Sequence, residues 1–399
     1  MRALFLSFVL LSFLLSQDKK EINFQLQNQQ NLEWWSKYNN NGIDFKKSFV
    51  STYFKKKFNS TSLTIKAYFS ESEILLGESF IGINTKYGRI QVGKYYRNFS
   101  YYLNDNLSSG SMLIGVNAPP VPKIGFDGSY KLKKRNDLIF RYGSSNGIFE
   151  KNEVYKEAPY YHDKFIYLSQ IKKNNEFGVG FVHTAMWGGY SNNYGQFPIG
   201  FDSFLKVLVS ADGVKKDNQP HANALGNHLG IWDFYWIFER EQKSLKFYYQ
   251  HIFEDTSGLR FANKADGLWG VELLNRKNKV SFILEYINTI NQDSNPPYVN
   301  ESYYNHSEYS LGWSYKGYVL GNPFINNLTP NPSKVIYLAL AAKEVNSFRI
   351  KIITSKQINT GGDLNYSFSF GKKYENYVLS FFVNGNKKNN LGLKIAYEL

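Results

Sequence analysis

Leu391-Gly392-Leu393-Lys394-Ile395-Ala396-Tyr397-Glu398-Leu399 carries a large apolar side chain at every second position. A pleated strand sends successive side chains to opposite faces, so this stretch separates an apolar set from Gly392, Lys394, Ala396 and Glu398. One face suits lipid and the other suits water, the form of a strand that closes an outer-membrane barrel. The same two-residue period recurs upstream. Leu63, Ile65, Ala67 and Phe69 oppose Thr64, Lys66, Tyr68 and Ser70; Leu245, Phe247 and Tyr249 oppose Lys246, Tyr248 and Gln250; and Leu364, Tyr366, Phe368 and Phe370 oppose Asn365, Ser367 and Ser369. Asn384-Gly385 predicts the hairpin turn between the run Tyr377 to Val383 and the last strand. Val335 to Ala342 is apolar on both faces, which predicts a strand covered by protein on its inner side and hence a partly plugged lumen.

Composition points the same way. Aromatic residues make up 18 % of the chain, yet mean hydropathy is −0.42. A transmembrane barrel reconciles the two, because lipid-facing and lumen-facing residues alternate and aromatic girdles mark both interfaces. A soluble sandwich or propeller has less use for so many tyrosines. At the N-terminus, Arg2 precedes the apolar run Ala3 to Leu15, and polarity returns after Ser16. That pattern predicts a signal peptide over residues 1–16 and a single mature domain over 17–399, exported to the outer membrane of a Gram-negative bacterium. Past this run no window of about 18 apolar residues occurs, so no transmembrane helix is expected. Roughly 380 residues divided into strand-plus-loop units of about 20 give about 18 strands, since even counts prevail.

Two segments depart from the strand period. Phe201, Phe204, Leu205 and Leu208 fall at helical spacing, with Gly200 or Asp202 available as the cap, which predicts a helix near 201–210. A second is expected near 26–38, around Trp34 and Trp35. Lipid-exposed irregular backbone is not tolerated, so both are expected in a small periplasmic helical plug. The fold class is therefore an all-β transmembrane antiparallel barrel with such a plug.

The sequence contains 0 cysteines, which excludes disulfides, thiolate metal sites and cysteine nucleophiles. Its net charge of +14 is scattered over strand positions and turns and forms no helical stripe, so nucleic acid is not an expected partner. On an exported protein, basic surface attracts anionic glycan or lipopolysaccharide. His162, His183, His221, His228, His251 and His306 show no ligand-pair spacing with an acidic third, so no metal and no cofactor are expected. Glu254 with Asp255, Glu285 or Glu308 are the carboxylates a glycosidase would need, but carboxylates facing bases across a polar lumen, such as Glu308 with Lys316, are expected in any barrel. No nucleophile elbow, phosphate loop or dinucleotide fingerprint occurs, and no catalytic residue is assigned.

Polar residues crowd beside Gly and Trp from His183 to Gly189, from Asn223 to Asp233 and from Tyr249 to Asp266. Aromatic rings stack on sugar faces while carboxylates and amides bond hydroxyls. Trp187, Trp232 and Trp313 are thus the candidate platforms, with Trp269 a further one, and Asp233, Gln250, Glu254 and Asn305 are the candidate hydrogen-bonding groups. The competing reading of each Trp is a marker of the bilayer interface.

Ordered along the chain are Ser108-Ser109-Gly110-Ser111 leading to Asn117-Ala118-Pro119-Pro120-Val121-Pro122-Lys123, then His183 with Trp187-Gly188-Gly189, then Asn223 to Gly230. Phe253-Glu254-Asp255 with Asp266-Gly267 follow, then Tyr303-Tyr304-Asn305-His306 through Gly312-Trp313-Ser314-Tyr315. In these stretches the chain resembles the Wzi-type capsule-assembly family over about residues 45 to 399. The resemblance implies an 18-stranded outer-membrane barrel with a small periplasmic helical bundle, acting as a lectin that holds capsular polysaccharide at the cell surface without catalysis. Expected partners are surface polysaccharide, outer-membrane lipid and other outer-membrane proteins. The alternatives are a porin-like diffusion channel and a scaffold subunit of an outer-membrane assembly.

Overall fold

The computed structural model describes residues 20–28, 39–43, 47–132, 135–214, 224–254, 256–263, 265–292, 302–345, 347–386 and 389–398. The chain forms a closed antiparallel barrel of 18 strands. Each wall strand pairs with its neighbours in sequence, and closure comes from Lys20–Asn28, which pairs on one side with Lys47–Phe58 and on the other with Asn389–Glu398. Ile74–Leu76 and Ser79–Asn84 share one wall position, both pairing with Thr61–Phe69 around a break at Gly77 and Glu78. No helix among the described residues is long and apolar enough to cross a membrane; strands do the crossing.

Register assigns every strand residue to a face. In the hairpin of Phe348–Gln357 and Leu364–Tyr374, Ile352 opposes Phe368 and Ile350 opposes Phe370 on the outside, while Lys351 opposes Ser369 on the inside. Ile352, Phe368, Phe370, Leu379, Phe381 and Leu391 are accordingly exposed, as are Ile166, Leu168, Phe177 and Val179 across the barrel. Such a face is stable only against lipid, where each Leu- or Phe-sized side chain removed from water contributes about 1.5–3 kcal/mol. Part of this outer face is a ladder of stacked rings. Phe177 lies 5.7 Å from Trp236, Trp236 lies 5.4 Å from Phe247, and Tyr249 lies 3.8 Å from Trp269.

Tight turns join strands at the end that holds the two chain ends, such as the turn after Lys172, where Lys173 adopts φ 53°. Long connections gather at the other end, including 95–121, 188–226 and 289–333. In barrels of this class the short turns are periplasmic and the long loops extracellular. The core lies inside the barrel at the long-loop end. There Phe99, Tyr102, Met112, Leu113, Tyr304 and Trp313 of the loops pack on inward residues such as Tyr161, Tyr167, Ile231 and Ile287. Val335–Ala342 fits this arrangement: Tyr337 and Ala339 face Leu107 of the loop, while Ile336 and Leu338 face outward.

Three expectations need correction. Asn384 and Gly385 are still paired, with Asn390 and Asn389, so the turn falls beyond them; Asn384 Oδ1 accepts a bond from Ser367 Oγ at 2.7 Å and stays in the strand. Leu26 to Asn28 belong to the first strand, and 29–38 lie outside the described residues, as do residues 1–16, expected as a signal peptide, and Leu399. The helix Phe201–Val209 exists but is not part of a periplasmic plug. It belongs to a long-loop connection and covers outward-facing His162, Lys164 and His183 of the wall, with Phe204 against His162 and Trp187. Those polar side chains would otherwise face lipid. The described part of the lumen plug is loop, drawn from 95–121 and 302–333.

Candidate functional site

The plug is fastened by inward-facing polar residues on three strands. Glu285 of Val280–Asn288 accepts bonds from Ser108 Oγ at 2.6 Å, Ser109 N at 2.7 Å and Tyr248 OH at 2.6 Å. Asp233 of Asn227–Arg240 accepts from Ser100 Oγ, from Tyr102 OH, from Tyr167 OH at 2.6 Å and from Gln250 Nε2 at 3.2 Å. Gln250 of Lys243–Phe253 accepts from the Met112 amide at 2.9 Å and donates to Ser100 Oγ at 2.9 Å. All three are fully buried. Carboxylates are pure acceptors; wall residues Tyr248, Tyr167 and Gln250 supply part of their donors, and loop amides and hydroxyls supply the rest. The interlock satisfies both sides at once.

Two glycines are required by this loop packing. Gly110 has φ 107°, next to the serines that reach Glu285. Gly312 has φ 60°, and a Cβ there would fall 2.1 Å from the Tyr304 oxygen and 2.3 Å from the Asn327 oxygen. Behind it Trp313 donates from Nε1 to the Leu113 carbonyl at 2.7 Å, joining the two plug loops. Asn322 adds a second tie, donating to Gly110 O at 3.0 Å and Ser109 Oγ at 3.2 Å. At the loop border Asp266 accepts from Tyr303 OH and from the Asn291 backbone and side chain, each at 2.8 Å. Burial pushes the Asp266 carboxyl above its ordinary range, and these bonds hold it back.

The seven sugar-binding candidates do not converge on one surface. Asp233, Gln250 and Trp313 are consumed by the plug. Trp187 faces outward, 4.9 Å from Tyr160 and against the helix. Trp232 also faces outward, edge-on to Phe181 at 5.0 Å, with Nε1 donating to Leu259 O at 3.2 Å. Trp269 stands in the lipid-facing ring ladder. Glu254, which accepts from Gln292, and Asn305 sit half-buried in the long loops. Lys316 pairs with Glu150 at 2.8 Å, not with Glu308 as its sequence neighbourhood suggested. The carboxylate of Glu285, considered for hydrolysis, is covered by loop backbone where a glycan has no approach.

Sequence reasoning missed Ser100, Tyr102 and Tyr167 as partners of Asp233, because contacts 66 to 133 residues apart leave no local signal. It placed Lys66 and Lys394 on the polar face of their strands but did not single them out, with Lys351, as a set of inward lysines. The signal for these was present, since each occupies the polar phase of an alternating strand. Among the described residues no group of His, Asp and Glu is placed to hold a metal ion.

The family model described as "Capsule assembly protein Wzi" matches residues 21–328. No curated protein matches the chain. Among solved structures, the chain is similar to a loop-deletion mutant of OmpT, an outer membrane protein of Vibrio cholerae, at 9 % identity over 96 % of this chain and 97 % of that one, with TM-score 0.35. A mutant Rh. blastica porin gives 7 % identity, 96 % and 99 % coverage and TM-score 0.39. The outer membrane channel DcaP of Acinetobacter baumannii gives 9 % identity, 96 % and 95 % coverage and TM-score 0.39. At those scores the likeness carries no argument, and the barrel rests on its own strand pairing.

Proposed function

The chain belongs to the capsule assembly protein Wzi family, and from that premise we propose that it binds surface polysaccharide at the extracellular face and tethers it to the outer membrane without cutting it. The family and the lipid-facing barrel place the protein in the outer membrane in a capsule-assembly role. One observation carries the finer reading: the long loops are folded into the barrel and held by Glu285, Asp233 and Gln250, which turns the extracellular mouth into a fixed surface. Preorganised polar and aromatic surface is what sugar binding needs, because ordering loops at the moment of binding would offset the weak gain per hydroxyl. Glu254 and Asn305 at that mouth are the hydrogen-bonding groups retained from the candidate set. Asp233, Gln250 and Trp313 support the surface from beneath.

The same interlock argues against a wide diffusion channel, since it places loop atoms where a porin keeps water. Deleting the gene in the encapsulated organism tests the proposal: polysaccharide should appear in the medium while total synthesis is unchanged. A capsule that stays fully cell-bound, together with purified protein that binds no glycan from that strain, would refute it.

A further inference from the structure

The inner wall formed by Phe348–Gln357, Leu364–Tyr374, Tyr377–Gly385, Asn389–Glu398, Lys20–Asn28, Lys47–Phe58 and Thr61–Phe69 differs in charge from the wall that grips the plug. Register places Lys351 beside Ser369, Lys394 between Ser380 and Gln25, and Lys66 beside Tyr53, all on the lumen side. Arg349, Lys373, Lys55 and Lys57 share that face nearer the tight turns, with Glu21 and Glu398 at acidic positions of the same face by register and the Glu78 carboxylate within electrostatic reach of Lys66 and Lys55. Lys394 stands three strands from Lys351 on one side and three strands from Lys66 on the other, so the three cations are spread along one arc of the inner wall.

Lys66, Lys351 and Lys394 are each partly buried inside the barrel. Their amino groups make no hydrogen bond or ion pair among the described residues, the Lys66 ammonium lying 5.4 Å over the Tyr68 ring. Neighbouring inward positions Ser367, Ser369, Ser380 and Ala396 carry small side chains. Aromatic surface is present too. Phe382 lies across Gly392, where a Cβ would stand 2.1 Å from its Cζ, and Tyr53 flanks Lys66. Like charges on one wall repel, and an arrangement that keeps several of them gains stability from a bound anion.

We propose that Lys66, Lys351 and Lys394 form a lumenal anion site for the carboxylate or phosphate groups of an acidic carbohydrate chain, with Tyr53 and Phe382 as the adjoining ring surfaces. The carbohydrate identity of the ligand rests on the polysaccharide-binding reading above; the anion site itself rests on the wall. Lysine supplies compact point charges with rotatable donors, suited to oxyanions spaced along a flexible chain.

The test is binding to the purified, folded full-length barrel, with oligogalacturonate as the uronate probe, inorganic polyphosphate as the phosphate probe and dextran as the neutral control. Wild type should bind at least one anionic probe in a salt-weakened manner and dextran far more weakly. K66Q/K351Q/K394Q should lose roughly tenfold or more in affinity, the arginine triple K66R/K351R/K394R should retain it, and K151Q/K156Q on an exposed loop should bind as wild type. Which probe responds identifies the oxyanion. Unchanged binding by the glutamine triple, an equal loss in K151Q/K156Q, or dextran binding as tight as either anion would overturn the site. If the triple does not fold, K351Q alone should still weaken binding, and no weakening there overturns it equally. Anion binding lost in the triple while a deletion strain keeps its capsule attached would leave the site standing and remove the tethering role instead.

Discussion

Two arcs of one inner wall use charge in opposite ways. From Tyr160 to Asn288 the inward charges are mainly acidic: Asp163, Glu176, Asp233, Glu239, Glu272 and Glu285. These are satisfied within the molecule, by loop donors as at Glu285, or by a cation as where Lys246 reaches Glu272 at 2.6 Å and also donates to Tyr102 O. From Phe348 through the closure to Phe69 the inward charges are mainly basic, and Lys66, Lys351 and Lys394 make no hydrogen bond or ion pair among the described residues. A carboxylate accepts bonds from the backbone amides and hydroxyls that every loop carries, so an acidic wall can hold a plug. An ammonium needs carbonyls or anions, and the described loops do not present them to this arc. One arc is spent on structure, and the other keeps charge in reserve for a ligand.

Glu285→Ala should break this contrast most severely. It strands Ser108 Oγ, the Ser109 amide and Tyr248 OH in a buried site, and each bond to a charged group contributes about 1.5–3 kcal/mol. The expected result is a barrel that still forms but whose 95–121 loop is cut by trypsin at Arg97, read by limited proteolysis in detergent. Asp233→Asn comes next. The amide can satisfy only part of a set in which Ser100, Tyr102, Tyr167 and Gln250 all donate, so a loss of about 1–3 kcal/mol is expected from the denaturant midpoint. Gly312→Ala tests the other plug loop: with φ 60° and no room for a Cβ, it should lower stability by about 1–3 kcal/mol in the same assay. Lys351→Gln should do least. Removing one of several repelling charges should leave the midpoint unchanged or raise it by a few tenths of about 1 kcal/mol. A large loss there would mean the basic arc is structural after all.

Much of the barrel was legible because lipid outside and water inside impose a period of two that no loop contact can disguise. Leu391 to Tyr397 and Leu364 to Phe370 sit on the faces their alternation assigns. The doubly apolar Val335 to Ala342 announced a plug and lies under it. The composition of that plug was not legible. Ser108 meets Glu285 across 177 residues and Trp313 meets Leu113 across 200, and segments rich in Gly, Asn and Ser carry no periodicity that would say which way they fold. The helix at Phe201 was readable by spacing, but its seat on the outer wall depends on His162, Lys164 and His183, polar residues in an outward phase that looked like any other interruption. The candidate site failed on the same point. Trp and acidic residues dense in sequence were divided by strand parity, Trp232 to the outside and Asp233 to the inside. The segments that carried the family resemblance fared better, since Ser108 to Ser111, Asn117, Asp266, Tyr304 and Trp313 are largely the residues that build the plug.

The most direct test of a barrel closed by an acid-anchored plug is ionic current through single proteins in a planar bilayer, comparing wild type with the double variant E285A/D233N. Wild type should pass little current, and the double variant several-fold more as the loops leave the lumen. Wild type conducting as a wide-open pore, or equal currents from the two proteins, would contradict it.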